Sequence, residues 1–340
     1  MTRIVLDAMG SDNHPQPEIE ACLQAHALWG EPVTLVGPAE QLLPALEARG
    51  AGPDTVHLVD APEVLEMTDH PADAAREKSR SSMAVGIDLL KQGQAEAFVT
   101  AGNTGGAMAT ALFRLGRIRG VRRPALATVF PIRTGRAILT DIGANADCRP
   151  EYLVQFAIFG SLYAQHVLEI AEPRVGLLSN GEESGKGNIL VKETYPLMEA
   201  SGLRFVGNLE PKEFLAGKAD VMVTDGFSGN VMLKTSEAVS AFLVDMLGTQ
   251  IRAGIVTKIG GLLARPAFRR VKAVLDPAEY GAGPLLGVDG LVFVGHGRSD
   301  ARALMNALRV ARQAVASGLL EAMRRAIAAS LASDATEAQP

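Results

Sequence analysis

Two stretches of this chain share one pattern. Val99-Thr100-Ala101-Gly102-Asn103-Thr104-Gly105-Gly106-Ala107-Met108 and Val223-Thr224-Asp225-Gly226-Phe227-Ser228-Gly229-Asn230-Val231-Met232 both read V-T-x-G-x-[ST]-G-x-x-M. A looser third copy is Val294-Gly295-His296-Gly297-Arg298-Ser299-Asp300. Each reads as an apolar strand that ends in a Gly-rich turn and passes at once into a helix. Glycine lets the backbone approach a ligand, Ser or Thr caps the helix, and the free N–H groups at the helix start attract anions. Polar residues also follow other apolar runs, at Asp7 to Ser11, Asp141 to Asp147 and Ser179 to Asn188. Six such turns in one chain predict a cleft sized for a phosphate or an acyl group, since ligands of open α/β sheets gather at the carboxyl ends of strands.

Lys186, between Gly185 and Gly187, can reach a small anion or stand as a solvated surface lysine. It is not a P-loop lysine. Asn180 occupies the position of the first glycine, and Gly187 replaces the Ser or Thr after the lysine. The turn Asp7-Ala8-Met9-Gly10-Ser11 lacks the G-x-G-x-x-G of a dinucleotide site. There is no G-x-S-x-G elbow, no H-E-x-x-H and no histidine near Cys148. His296 alone of the six histidines lies in a Gly-rich turn. No metal and no cofactor are expected.

Two basic clusters stand out. Arg114, Arg117, Arg119, Arg122 and Arg123 fall within ten residues and suit an acidic protein, a phosphate group or open solvent. Between Asp245 and Asp276 there is no acidic residue, while Arg252, Lys258, Arg265, Arg269, Arg270 and Lys272 occur there. Ile251, Ile255, Ile259 and Leu262 in that interval follow helical spacing. Such a helix suits an anionic membrane surface, an acidic partner or a dimer interface.

The elements that must position these residues are short Val-, Ile- and Leu-rich runs alternating with helical patterns. Strands are predicted at 2–7, 33–37, 55–60, 96–101, 125–131, 136–142, 174–179, 204–207, 220–225 and 291–295. Helices are predicted at 15–30, 38–49, 71–92, 103–116, 151–170, 187–202, 229–250 and 300–332. The runs are continuously apolar, as in strands covered on both faces. The expected fold is α/β: a doubly wound, largely parallel sheet in an α/β/α sandwich. It spans 1–330 as a single unit, with a helical appendage at 230–285 and a frayed tail at 331–340.

The 340 residues are 47% hydrophobic, 21% charged and 5% aromatic, with two cysteines and a net charge of −5. This composition excludes long disorder and a disulfide framework, and argues against a global nucleic-acid binder. No signal peptide and no membrane span are read, so a cytoplasmic protein, at most peripheral to a membrane, is expected.

As a set, several motifs resemble the bacterial phosphate acyltransferases of phospholipid synthesis. They are Ile4-Val5-Leu6-Asp7-Ala8-Met9-Gly10, Arg76-x-Lys78 with Ser82-Met83, Ala101 to Gly105, and Gly116-Arg117-Ile118-x-Gly120. Asp141-Ile142-Gly143-Ala144-Asn145, Lys186-Gly187-Asn188, Thr224 to Asn230, and His296-Gly297 with Ser299-Asp300 complete the set. The match runs in order from residue 3 to about 320. Two departures, Gly295 before His296 and the Ser179 to Glu183 loop, leave acyl-chain preference open.

The resemblance implies transfer of an acyl group from acyl carrier protein to inorganic phosphate, which feeds acylation of glycerol 3-phosphate. It also implies a fold like the isocitrate and isopropylmalate dehydrogenases, a homodimer and membrane association, possible through the membrane acyltransferase of the next step. Under this reading Lys186, Asn103-Thr104 and Ser228-Gly229 hold phosphate. Asn145 or Asn188 polarises the thioester carbonyl, and Asp141 and Asp225 orient these groups or act as base. His296 protonates the leaving thiolate. Asp7, Gly10, Arg76, Lys78, Ser82, Gly102, Gly105, Gly226 and Asn230 complete the expected substrate site. Arg114, Arg117, Arg119, Ile255, Leu262, Arg269 and Arg270 are the expected carrier-protein or membrane contacts. The other classes considered are an NAD-dependent decarboxylating dehydrogenase and a non-catalytic membrane-surface scaffold.

Overall fold

The computed structural model describes residues 2–337. The first half of the chain forms β1 (Ile4–Asp7), α1 (Gln16–Trp29), β2 (Val33–Gly37), α2 (Ala39–Glu47), β3 (Val56–Asp60), α3 (Pro71–Glu77), α4 (Ser82–Lys91), β4 (Ala97–Thr100), α5 (Thr104–Arg114), β5 (Ala125–Ile132), β6 (Gly135–Thr140) and α6 (Pro150–His166). It continues through β7 (Val175–Leu178), α7 (Ile189–Ala200), β8 (Phe205–Leu209), α8 (Pro211–Leu215), β9 (Val221–Val223), α9 (Gly226–Arg252), α10 (Ile255–Leu275), β10 (Gly283–Leu286), β11 (Leu291–Val294), α11 (Ala301–Ala316) and α12 (Leu319–Glu337).

The strands form one eleven-stranded sheet in the order β3-β2-β1-β4-β11-β10-β5-β6-β9-β7-β8. The run from β3 to β11 is parallel, as is the run from β6 to β8. Antiparallel ladders through β10 and β5 join the two runs and reverse their sense. Val294 pairs with Gly283, Leu285 with Leu126, and Ala127 with Thr140. Strands β11 and β6 therefore come from opposite directions and end almost level, so the carboxyl ends of both halves face one another.

Strand residues alternate between two buried faces, as a two-sided sheet requires. Ile4 and Leu6 pack with Ile19 of α1, Phe156 and Tyr163 of α6, Leu308 of α11 and Met323 of α12. Val5 and Phe98 point the other way, onto Met83 and Ile87 of α4 and Ala107 of α5. On that second face, Phe130, Leu139 and Met222 pack with Phe214 of α8 and Met232 of α9. On the same face, between α5 and α9, Leu126, Thr128, Phe130 and Leu285 of the central strands β5 and β10 line a groove.

Several elements depart from the expected boundaries. The predicted 71–92 helix is broken at 78–81, and Ser81 caps α4 by accepting the Ala84 N–H. The predicted 300–332 helix is broken at Ser317-Gly318, where Gly318 has a φ of 71°. Strand β10 lies inside the stretch read as helical appendage. Helix α12 runs to Glu337, and residues 338–340 of the predicted tail lie outside the described residues. Helices α9 and α10 pack on each other, and α10 buries none of its side chains.

Candidate active site

A groove of about 1610 Å³ lies over β10 and β5 between α5 and α9. Leu126, Thr128, Phe130 and Leu285 line its floor. Thr104, Gly105 and Met108 of α5 form one wall, and Ser228, Val231, Val239 and Val244 of α9 the other. Lys272, Val274 and Leu275 at the end of α10 extend it. His296 and Arg298, after β11, also line it. A second cavity of about 370 Å³ adjoins it, lined by Asp12, Met67, Gly102, Thr104, Lys234 and His296 among others.

The repeated pattern does not carry a repeated cap. The Ser or Thr expected to cap does so in neither copy, since Thr104 is the first residue of α5 and Ser228 the third of α9, and the caps Asn103 and Asp225 stand at different places in the pattern. Asn103 starts α5 by accepting the Gly106 N–H at 3.0 Å, and Asp225 starts α9 by accepting the Ser228 N–H at 2.8 Å. Asp300 starts α11 by accepting the Ala303 N–H at 2.8 Å. The Asn103 amide also donates to the Met67 carbonyl at 3.1 Å, tying the turn to the 66–69 loop. These caps satisfy one of the orphan amides of each helix. The first amides of α5, at Thr104 and Gly105, have no hydrogen-bond partner among the described residues, and both residues line the groove.

Asp141 anchors the opposing turn. Its Oδ1 accepts the N–H groups of Leu126, Gly143 and Ala144, and its Oδ2 accepts the backbone and side-chain N–H of Asn145. The other Asn145 amide hydrogen goes to the Pro124 carbonyl at 2.7 Å. Burial holds the Asp141 carboxyl above its ordinary range, and the Gly143, Ala144 and Asn145 donors offset only part of that rise. With all five donors aimed at it, Asp141 is a positioning residue, and the Asn145 amide is spent on the same task. Helix α9 docks on this turn. Gly226 donates to the Asn145 carbonyl at 2.8 Å, and Asn230 donates to the Ile142 carbonyl at 2.9 Å. A Cβ on Gly229 would stand 1.9 Å from the Asp141 carbonyl oxygen, so only glycine permits the approach.

The turn after β1 is held in the same way. Buried Asp7 accepts from Thr100 at 2.7 Å, from the Met9 N–H at 3.0 Å and from Ser82. Gly10 presses on the backbone of Ala101 and Gly102. The Ser11 N–H donates to buried Glu18, whose other oxygen has no partner among the described residues. Burial lifts the Glu18 carboxyl to about 7.

Desolvation holds His296 below its ordinary value, and the nearby Lys234 and Arg298 charges push the same way against Glu237 and Asp12. It is therefore mostly neutral at pH 7. Burial pushes the Cys148 thiol up to about 12, so it is not a nucleophile at neutral pH.

The structure thus brings together Gly102, Asn103, Thr104, Gly105, Asp141, Asn145, Asp225, Gly226, Ser228, Gly229, Asn230 and His296. It does not bring in Lys186 and Asn188. Lys186 stands exposed on the β7–α7 loop, outside both cavities, and Asn188 caps α7. Asp7 and Ser82 lie beneath the site as supports. Arg76 stacks on Phe113, 4.9 Å from the ring centroid, and Lys78 binds Asp69 and the Val64 carbonyl. Arg114 pairs with Asp88, and Arg117 donates to the Arg122 carbonyl. Sequence reasoning missed Lys234, Arg298 and the apolar lining. Lys234 was readable: it follows Asn230 by four residues, on the same helix face. Among the described residues no cluster of three or more His, Cys, Asp or Glu is arranged to hold a metal ion. No helix among them is long and apolar enough to cross a membrane.

A family model described as "Fatty acid synthesis protein" matches residues 2–322. A phosphate acyltransferase from Pelotomaculum thermopropionicum is 46% identical over 325 residues, 96% of this chain and 95% of that protein. The chain belongs to the phosphate acyltransferase family. It is an acyltransferase.

The acyltransferase's fold recurs in solved structures. A phosphotransacetylase from Streptococcus pyogenes superposes with a TM-score of 0.60 at 16% identity, covering 96% of this chain and 94% of that one. A 4-hydroxythreonine-4-phosphate dehydrogenase from Klebsiella pneumoniae gives 0.55 at 15%, covering 93% and 100%. At such identities these show a shared fold alone. The acyltransferase combines a long apolar groove with a polar end that carries a neutral imidazole, two cations and free helix amides. That arrangement can bury an acyl chain while holding an anion against its carbonyl.

Proposed function

We propose that this acyltransferase moves a fatty acyl group from acyl carrier protein to inorganic phosphate, and that the acyl phosphate serves acylation of glycerol 3-phosphate. The observation that carries the reading is the continuity of the apolar groove with the polar turns at Thr104, Ser228 and His296. The acyl chain lies along Phe130, Val239 and Val244, with its thioester carbon at those turns. A phosphate oxygen attacks that carbon; the new C–O bond forms as the C–S bond breaks, and sulfur leaves with the electron pair. Neutral His296 takes the proton of the monohydrogen phosphate and passes it to the thiolate. A thiol of pKa about 8.5 leaves readily, so this help is modest. The carbonyl oxygen, as it gains charge, is met by the first amides of α5.

The acyl carrier protein is acidic by this reading and docks on the arginines around 117–123. The exposed apolar faces of α9 and α10 form a homodimer contact, a membrane contact or both, with Ile255 78% and Leu262 67% exposed and Arg269 and Arg270 beside them. The deciding assay follows thiol release from acyl-acyl carrier protein with and without phosphate. Release that requires phosphate, with acyl phosphate as product, supports the reading. Equal release without phosphate makes the chain a thioesterase and overturns it.

A further inference from the structure

Five residues line both the groove and the small cavity beside it: Thr104, Lys234, Gly295, His296 and Arg298. They mark the junction where the two spaces adjoin. Two of the five are cations. Among the described residues neither Lys234 nor Arg298 has an ion-pair or hydrogen-bond partner, whereas Lys78, Arg114, Arg174 and Lys218 are all paired. An unpaired cation held beside a cavity is a place for an anion. The backbone that carries Lys234 is held in place, since the Asn230 bond to Ile142 lies one turn before it and the Asp225 cap at the start of the same helix.

We propose that Lys234, with Arg298, binds the acceptor phosphate at this junction, and that the small cavity is the acceptor pocket. This rests on the phosphate-transfer reading given above and corrects its cation, moving that role from Lys186 to Lys234. The acceptor then sits beside His296, where its proton is to go, and next to Thr104, where the groove presents the carbonyl. The charged groups that face His296 are Lys234 and Glu237 from α9, Arg298 from its own turn and Asp12 from across the cavity.

The test measures steady-state kinetics of Lys234→Gln, Lys234→Arg and Lys186→Gln, varying phosphate at saturating acyl-acyl carrier protein and then the reverse. Lys234 is exposed, so the fold survives the change, which a thermal melt verifies. For Lys234→Gln the KM for phosphate rises at least about tenfold, the loss of one charge-assisted bond, while the KM for the acyl donor stays within about twofold. Lys234→Arg recovers part of the loss. Losing the Lys234 charge also raises the His296 pKa, so the acidic limb of kcat/KM for phosphate moves to higher pH. An unchanged phosphate KM in Lys234→Gln, or a larger rise in Lys186→Gln, overturns the proposal. Phosphate-independent thiol release by the parent enzyme instead overturns the underlying reading, and the two failures are distinguishable.

Discussion

At the scale of the residue, buried carboxylates in this enzyme divide by how their oxygens are satisfied. Asp141 has donors for both oxygens, whereas Glu18 has a donor for one only. A proton on the orphan oxygen of Glu18 relieves that deficit, which agrees with a folded-state pKa of about 7 against an ordinary 4.5. The folded state thus binds more protons than the unfolded chain between those values, and stability falls as pH rises through that window. The loss amounts to on the order of 3 kcal/mol at pH 8. Glu18→Gln keeps an acceptor for Ser11 and cannot ionise. Its denaturant midpoint relative to the parent should improve from pH 5 to pH 8; a constant difference would show that Glu18 does not titrate on unfolding. The sequence marked these turns by their Gly, Asn, Asp and Ser, but assigned the capping role to Ser or Thr where Asn103 and Asp225 hold it. It could not announce which side chains have their donors already spent, as Asn145 has, or that the Lys186 loop stands apart from the cleft. The Asn145 bond to Pro124 spans 21 residues, and the placement of the Lys186 loop is likewise set by the tertiary fold.

At the scale of the element, the start of α9 is the tightest joint in the site. Gly229→Ala places a methyl group against the Asp141 carbonyl and must push the helix off the turn. That breaks the Asn230 bond to Ile142, and kcat/KM should fall by well over about tenfold, with a lower melting temperature. Gly248→Ala is the control in the same helix. Its Cβ meets nothing nearer than the Arg252 guanidinium at 3.5 Å, and replacing a mid-helix glycine there should stabilise by up to about 1 kcal/mol without loss of activity. Apolar runs revealed the other strands, and 3.6-residue periodicity most of the helices. Strand β10 escaped because it opens Gly283-Pro284, residues that ordinarily mark a turn, and is only four residues long. The break between α3 and α4 escaped because its only local signs were Ser79, Ser81 and Ser82, without Gly or Pro, and helical periodicity ran through.

At the scale of the whole molecule, two half-sheets meet at their carboxyl ends, and the open floor between them forms the groove. If the acyl chain fills it, each added methylene is worth at most about 0.8 kcal/mol, so kcat/KM should climb by up to about fourfold per carbon and level off once the groove is full. A series of acyl thioesters of rising length tests this; a flat response would place the chain elsewhere. The α9–α10 pair leaves its apolar stripe uncovered. If the stripe is the membrane contact proposed above, Ile255→Glu and Leu262→Glu release the enzyme from anionic vesicles while leaving solution activity largely intact. If they instead dissociate a dimer and abolish activity, the stripe is structural first. The sequence made this stripe legible through its cations and spacing, but what covers it is a matter of partners rather than of one chain.

Trp29, the chain's single tryptophan, packs between α1 and α11 with the Arg312 guanidinium 4.7 Å above its ring. That is the sheet face opposite the groove. Tryptophan emission is therefore a clean reporter of unfolding in the first half of the sheet and should be silent when phosphate or a thioester enters the cleft. A ligand that does alter the emission would be one whose arrival rotates the halves enough to be felt through the sheet, so one spectrum distinguishes a rigid cleft from one that closes.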